Sequence, residues 1–140
     1  MILIDTNIIM YAAGAAHPHK RPSVQLLEQV ARGDLEAIID AETLQEILHR
    51  YRSIKRWTDG RKVYDLARQI FPEVIPVTSE VLDHARQLLD ANAGLMARDA
   101  LHAAVVIGEG LEAICTYDRD FDGIPGVRRM EPGKDDRRIG

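Results

Sequence analysis

Short runs of β-branched and other apolar residues recur along this chain, and patterns typical of helices separate most of them. The runs predict five short strands: ILID at the amino end, EAIID at 36–40, VIPV at 74–77, EAICT at 112–116 and VRRM at 127–130. The first run is apolar until its last residue, as expected of a strand buried on both faces of a parallel sheet. The alternation predicts the α/β class, with helices flanking a central parallel sheet of about five short strands.

Helical spacing of apolar residues marks the segments between these runs. The patterns cover 22–33, 41–53, about 59–71, 79–92 and 97–110. The first four carry apolar residues on one stripe, which is the pattern of surface helices. The last, ARDALHAAVVIGEG, is apolar on nearly every side, so we expect it in the middle of the fold.

The length of 140 residues fits one domain with a real core and is too short for two ordinary domains. We place this domain at residues 1–132, because no shift in composition marks an internal boundary. The last segment, GKDDRRIG at 133–140, is polar and dense in charge, which predicts a flexible tail.

Composition excludes several classes of protein. No apolar stretch approaches the roughly 20 residues that span a bilayer, so we expect no membrane segment. The first ten residues lack a basic leader, and the lone Cys115 has no cysteine partner within the chain. These features predict a cytoplasmic protein that is stabilised by packing.

Acidic residues are placed where strands end or where helices line the sheet. Asp5 ends the first strand, Glu46 lies on the helix after the second strand, Asp99 begins the buried helix, and Asp118 follows the fourth strand. Each acid alone has a structural explanation, such as a helix cap for Asp5 or a solvent-facing position for Glu46. Together they predict a shared ligand-binding site, because the carboxyl ends of parallel strands meet at one edge of a sheet, where ligands bind.

Carboxylates that crowd together repel one another unless a cation lies between them. Oxygen ligands without Cys or His select Mg²⁺, with Mn²⁺ as the alternative, over zinc. An acidic cluster that holds such an ion can orient a phosphodiester and activate water to attack it. The four acids therefore predict metal-dependent hydrolysis of phosphodiester bonds.

Four motifs in this order resemble the PIN-domain ribonucleases, and in particular the VapC-type toxins of toxin–antitoxin pairs. They are LIDTNI at the amino end, TLQEIL on a helix, RDALHAA on the buried helix and TYDRDFDGIPGV near the carboxyl end. The resemblance covers the chain from Met1 to about Pro132. It implies a Rossmann-like, three-layer PIN domain in which acids at the strand ends hold Mg²⁺ or Mn²⁺.

The resemblance also assigns roles to residues. Asp5, Glu46, Asp99 and Asp118 correspond to the four acids of the site, and Asp5 and Asp99 are expected first as direct metal ligands. Thr6, Asn7 and Thr116 are expected to orient those carboxylates, whereas the roles of Asp120 and Asp122 stay open. The implied activity is endonucleolytic cleavage of single-stranded or loop RNA by metal-activated water. The implied partners are the RNA substrate, a small antitoxin protein and a second copy of the chain in a homodimer.

Two alternatives to a toxin remain open at this point. An RNA-processing PIN nuclease would share the four acids, and a PIN fold can also persist as a non-catalytic module that binds RNA or protein. A haloacid-dehalogenase-like phosphatase is disfavoured, because Asn7 stands where such an enzyme needs a second Asp.

A basic stretch at 49–62 offers a surface for RNA phosphates despite the net charge of −4. It contains six basic residues and one acid: Arg50, Arg52, Lys55, Arg56, Arg61 and Lys62, with Asp59. Trp57 and Tyr51 are candidates for stacking on bases, although Tyr51 also fits a core stripe. His17 and His19 lie in a Pro-containing segment and favour a loop over a zinc site, and His102 is expected to bond to Asp99 or its neighbours.

Overall fold

The computed structural model describes residues 1–134. The strands are β1 (Ile2–Ile4), β2 (Ala37–Asp40), β3 (Val74–Ile75), β4 (Ile114–Cys115) and β5 (Arg129–Met130). The helices are α1 (Thr6–Ala13), α2 (Lys20–Ala31), α3 (Ala41–Ser53), α4 (Trp57–Ile70), α5 (Ser79–Ala91) and α6 (Ala97–Gly108), and a 3₁₀ turn spans Arg119–Phe121.

The strands form one parallel sheet in the order β3-β2-β1-β4-β5. The chain first builds outward from β1 through β2 to β3 and then returns to add β4 and β5 on the other side of β1. The strand order therefore reverses between β1 and β4. In open parallel sheets this reversal opens a crevice at the carboxyl ends of the strands.

Alternating side chains of the central strands point into two apolar clusters on opposite faces of the sheet. Ile2 and Ile4 belong to the cluster that contains residues of α1, α2, α3 and α4. Leu3 and Ile114 belong to the other cluster, which contains residues of α5 and α6. This three-layer arrangement confirms the predicted fold class, because period-2 alternation in a strand supplies both faces with apolar side chains.

The predicted central helix is confirmed: every residue of α6 from Asp99 to Val106 is buried. Strand ends are less well predicted from sequence. β3 stops at Ile75, since Pro76 has no N–H to donate to the sheet. Helices α2 and α4 each begin two residues before the predicted starts, which is the usual uncertainty of helix ends.

The predicted tail lies mainly outside the described residues. Gly133 and Lys134 are part of a turn in which the Lys134 ammonium pairs with Glu131 at 3.0 Å, and 135–140 are not described. Among residues 1–134, no helix combines the length and the apolar character needed to cross a bilayer.

Candidate metal centre

The crevice between β1 and β4 is built around Asp5. Asp5 directly follows β1 and caps α1, where its Oδ1 accepts a hydrogen bond from the Thr6 N–H at 2.7 Å. Its Oδ2 accepts a second bond from the hydroxyl of Thr116, just after β4, at 2.7 Å. The Asn7 amide donates to the same Thr116 oxygen at 2.9 Å. Asp5 is thus both a helix cap and an oriented, buried carboxylate facing the crevice.

A second group of acids lies on the β4 side of the crevice. Asp99 of α6, Asp118 and Asp120 each offer a carboxylate oxygen, and these oxygens lie within 4.8 Å of one another. Burial raises the pKa of Asp99 to about 7, and the negative charges of Asp118 and Asp5 contribute to the same shift. A cation in this place would relieve the repulsion that disfavours the ionised form of Asp99.

Asp122 does not join this group. Its carboxylate instead accepts a hydrogen bond from Arg129 Nε at 2.7 Å, and Arg129 also donates to the Thr116 carbonyl and to Glu131. Arg129 thus ties the loop after β4 to β5. Of the two acids whose roles were open, Asp120 lies with the cluster and Asp122 belongs to this ion pair.

Glu46 lies on the other side of Asp5. One oxygen each from Asp5 and Glu46 and one nitrogen of His102 lie within 4.8 Å of one another. His102 Nε2 is 3.0 Å from Glu46 Oε1 and 3.7 Å from Asp5 Oδ1. Glu46 therefore lines the crevice, and the alternative of a plain solvent-facing position is wrong.

The histidine ring has another carboxylate on its far side. His102 Nδ1 is 2.6 Å from Asp40 Oδ2, and both side chains are buried. Burial by itself lowers the pKa of His102, but hydrogen bonds with Asp40 and Glu46 and the charge of Asp5 raise it well above the usual value. The expectation was a bond to Asp99 or its neighbours; the hydrogen-bond partners of the ring are instead Asp40 and Glu46.

Sequence reasoning missed Asp40. The signal was present, because Asp40 ends β2 in the same way that Asp5 ends β1, and both strands read as apolar residues followed by Asp. In the structure Asp40 caps α3 through the Thr43 N–H at 3.2 Å and also contacts the histidine of the site.

The four predicted acids thus lie around one crevice in two adjoining groups. Asp5 and Glu46 form one, Asp99 and Asp118 form the other, and the charge of Asp5 contributes to the pKa shift of Asp99. The donor set fits Mg²⁺ or Mn²⁺, because it consists of carboxylate oxygens and the His102 nitrogens are already engaged with carboxylates.

A polar groove of about 510 Å³ continues from Glu46 along α1 and α3. Its basic side chains are Arg50 and His49 of α3 and Arg98 of α6. Of the basic stretch at 49–62, Arg50 lines this groove. Arg52 lies over the Trp57 ring at 4.9 Å, and Arg56 pairs with Asp59 at 2.8 Å, so these two have partners elsewhere.

Two further sequence expectations can be compared with the structure. Tyr51 is buried in the core beneath α4, so it is not available to stack on a base. His17 and His19 pack with Tyr11 and Tyr117, and the His19 and Tyr117 rings stack at 3.7 Å. Both histidines lie in the segment that connects α1 to α2, in keeping with the loop interpretation.

Comparison with known proteins agrees with this fold and site. The family model described as "PIN domain" matches residues 2–127. The chain is 42% identical over 130 residues to VapC ribonuclease Mb1869c of Mycobacterium bovis, covering 93% of this chain and 99% of that relative. It is 36% identical over 118 residues to ribonuclease VapC23 of Mycobacterium tuberculosis, covering 84% of this chain and 93% of that relative.

Solved structures share the architecture. VapBC2 from Rickettsia felis, crystallised with a DNA fragment from its promoter, superposes with a TM-score of 0.73 at 23% identity, covering 94% of this chain and 98% of that chain. A toxin–antitoxin complex from Klebsiella pneumoniae gives a TM-score of 0.65 at 23% identity, covering 91% of this chain and 96% of that chain. With the sheet order, the crevice of acids and these matches in place, the chain belongs to the PIN-domain family and to its VapC branch.

Proposed function

We propose that this protein is a Mg²⁺-dependent endoribonuclease and the toxin of a toxin–antitoxin pair, with Mn²⁺ as a possible substitute for Mg²⁺. The observation that carries the proposal is the convergence of Asp5, Glu46, Asp99 and Asp118 on one crevice at the reversal of strand order. The VapC relatives, which bear the name ribonuclease, support the same chemistry.

The chain's own residues would prepare the reaction. Asp5 and Asp99 would hold the ion directly, while Glu46 and Asp118 complete the ring of negative charge around it. Thr116 and the Thr6 N–H fix both oxygens of Asp5, so this carboxylate keeps its orientation without an ion. Bound there, the ion would supply positive charge to a phosphate oxygen and a nucleophilic water at neutral pH.

Cleavage of structured RNAs with single-stranded loops tests the proposal. We expect cutting with Mg²⁺, none with EDTA, and a loss of about 100-fold or more for Asp5→Asn, because a missing ligand weakens both metal binding and activity. Asp90→Asn is the matched control, since Asp90 lies exposed on α5 and pairs with Arg86. Equal cutting in all samples would defeat the mechanism. Metal binding without any cutting would favour a non-catalytic PIN module.

The groove beside Glu46 is proposed to bind the RNA backbone. Arg50 and Arg98 line it, and cationic side chains next to a metal site neutralise the phosphates that flank the cut. Arg50→Ala should weaken RNA binding and lower the salt dependence of log K by about one unit of slope. Arg61→Ala, in the same basic stretch but not lining the groove, is the control. Equal effects of the two changes would mean that the stretch acts through overall charge.

A small antitoxin and a second copy of the chain are the proposed protein partners. The Rickettsia felis and Klebsiella pneumoniae neighbours are themselves toxin–antitoxin assemblies. The structure offers an apolar groove of about 410 Å³ between α1, α2 and α4, and Leu66 at its edge is half exposed. A short gene next to this one that encodes a DNA-binding protein would favour the toxin over an RNA-processing nuclease. The cytoplasm remains the proposed location.

A further inference from the structure

His102 connects three parts of the fold at the edge of the metal site. Its ring belongs to α6, its Nδ1 contacts Asp40 at the end of β2, and its Nε2 contacts Glu46 of α3. The distances are 2.6 Å and 3.0 Å, and both are within hydrogen-bond range. Each ring nitrogen therefore has a carboxylate partner, and the two partners come from different elements.

The contact between His102 and Asp40 has little freedom to move. The side chains of His102 and Asp40 are 1% and 0% exposed. The second oxygen of Asp40 accepts the Thr43 N–H at the start of α3. Rotating the ring would leave a buried carboxylate without its partner, which costs more than the bond itself contributes. Asp40 thus fixes the orientation of the ring.

The contact between His102 and Glu46 faces the crevice. The Glu46 side chain is 15% exposed and lies beside Asp5, a second carboxylate. The two carboxylates repel each other, because their oxygens lie within 4.8 Å. Glu46 has a long side chain, and the adjoining polar groove is open to it. The bond with His102 Nε2 opposes movement of the side chain into that groove.

We propose that Asp40 and His102 are a positioning pair, which holds the carboxylate of Glu46 beside Asp5 so that the site binds a divalent ion. The pair rests on the metal site of the proposed function and acts through Glu46. Neither member is a metal ligand, since the His102 nitrogens are occupied by carboxylates and Asp40 lies behind the ring. Among the acids of the crevice, Glu46 lies within hydrogen-bond distance of the ring, whereas Asp5 Oδ1 is 3.7 Å from Nε2.

Two substitutions at one position separate the two contacts of the ring. The amide nitrogen of Gln can take about the place of Nε2 and still donate to Glu46, whereas that of Asn takes about the place of Nδ1 and reaches only Asp40. We expect His102→Asn to weaken Mn²⁺ binding by about tenfold or more, as loss of a supporting contact does at metal sites. His102→Gln should recover most of the affinity.

Isothermal titration with Mn²⁺ measures the affinities of the wild type, His102→Gln and His102→Asn, which we expect to fall in that order. Thermal unfolding of both variants without metal measures their stability. A ring that served only the fold would give the reverse order, because Asn keeps the buried contact with Asp40. Equal weakening by Asn and Gln, or no weakening by either, overturns the proposal. His84→Asn on α5 controls for the loss of a histidine and should leave Mn²⁺ affinity unchanged.

A double-mutant cycle then tests whether His102 acts through Glu46. If it does, Glu46→Gln with His102→Asn binds Mn²⁺ no more weakly than Glu46→Gln alone. Additive losses would overturn the proposal. Should His102→Asn fail to fold, Asp40→Asn replaces it in the cycle, because Asn keeps the size of the side chain and an oxygen for the Thr43 N–H. Asp40→Asn combined with Glu46→Gln should likewise bind Mn²⁺ no more weakly than Glu46→Gln alone.

Kinetics on the RNA substrate separate this inference from the proposed function. His102→Asn should lower kcat at fixed Mg²⁺ and leave KM for RNA unchanged, since the ring does not line the RNA groove. A wild-type protein that binds Mn²⁺ but cuts no RNA would refute the nuclease while the cycle in Mn²⁺ affinity still tests the pair. A wild type that cuts RNA, with Mn²⁺ affinity and kcat unchanged in the variants, would refute the pair alone.

Discussion

Asp5 and Asp40 show how two residues with the same local setting take different roles. Each ends a parallel strand, each caps the following helix, and each lies at the same edge of the sheet. Asp5 faces the crevice and the acids of the β4 side, whereas Asp40 lies behind a histidine and does not reach the crevice. The difference arises from α6, which places His102 against Asp40 and Asp99 near the charge of Asp5.

Metal affinity should depend on pH through Asp99. Its pKa of about 7 lies above the usual value, so the carboxyl group is mostly neutral below pH 7 and ionised above it. A cation binds the ionised form, and affinity should therefore rise roughly tenfold per pH unit up to about pH 7 and level off near pH 8. Mn²⁺ titrations between pH 5.5 and 8.5 measure this. Asp99→Asn should reduce the slope; an unchanged slope in that variant would place the titration on another group.

Helix α6 brings two residues of the crevice to one place. Asp99 and His102 are three positions apart, a spacing that puts both on one face of a helix. Both side chains are buried, as is every residue of α6 from Asp99 to Val106, so both depend on partners from other elements. Through these two residues, one helix contributes to both groups of side chains in the crevice.

Helices α3 and α4 pack closely where Gly60 meets Tyr51. A Cβ atom on Gly60 would lie 2.4 Å from Tyr51 Cβ, a distance that real side chains do not reach. Gly60→Ala should therefore destabilise the protein by about 1–3 kcal/mol in urea unfolding, even though Ala is the better helix former. Gly108→Ala on α6 is the matched control, because nothing lies within 4 Å of a Cβ there. Equal stability of Gly60→Ala and wild type would show that the helices can separate at little cost.

At the scale of the whole molecule, the crevice exists because the strand order reverses between β1 and β4. Asp5 follows one of these strands and Thr116 follows the other, and the hydrogen bond between them crosses the reversal. The two apolar clusters share the central strands, since neighbouring residues of β1 point to opposite faces. Core and site therefore depend on the same three residues of β1.

Shared strands predict cooperative unfolding of one domain. Loss of either cluster would expose β1, so both should melt together. Urea unfolding followed by Trp57 fluorescence on α4 and by far-UV circular dichroism should give coincident transitions with one midpoint. Separate midpoints would mean that the helices on the two faces unfold independently and that the chain contains more than one cooperative unit.

The sequence alone determined the class of fold and the four acids of the crevice. Strand and helix periodicity are local properties, and Asp5, Glu46, Asp99 and Asp118 could be recognised from their positions relative to predicted elements and from the motifs around them. The buried nature of α6 was also readable, because apolar residues cover nearly all its sides.

Only the tertiary structure decided which polar residues meet. Asp40 and His102 are 62 positions apart, and they touch because the fold brings a residue of α6 to the carboxyl end of β2. Likewise, Arg129 forms an ion pair with Asp122, whereas Asp120 lies beside the crevice, although both acids lie in one short loop. Hydrogen bonds and ion pairs act over a few ångströms in space, and sequence spacing carries no direct record of such distances between separate elements.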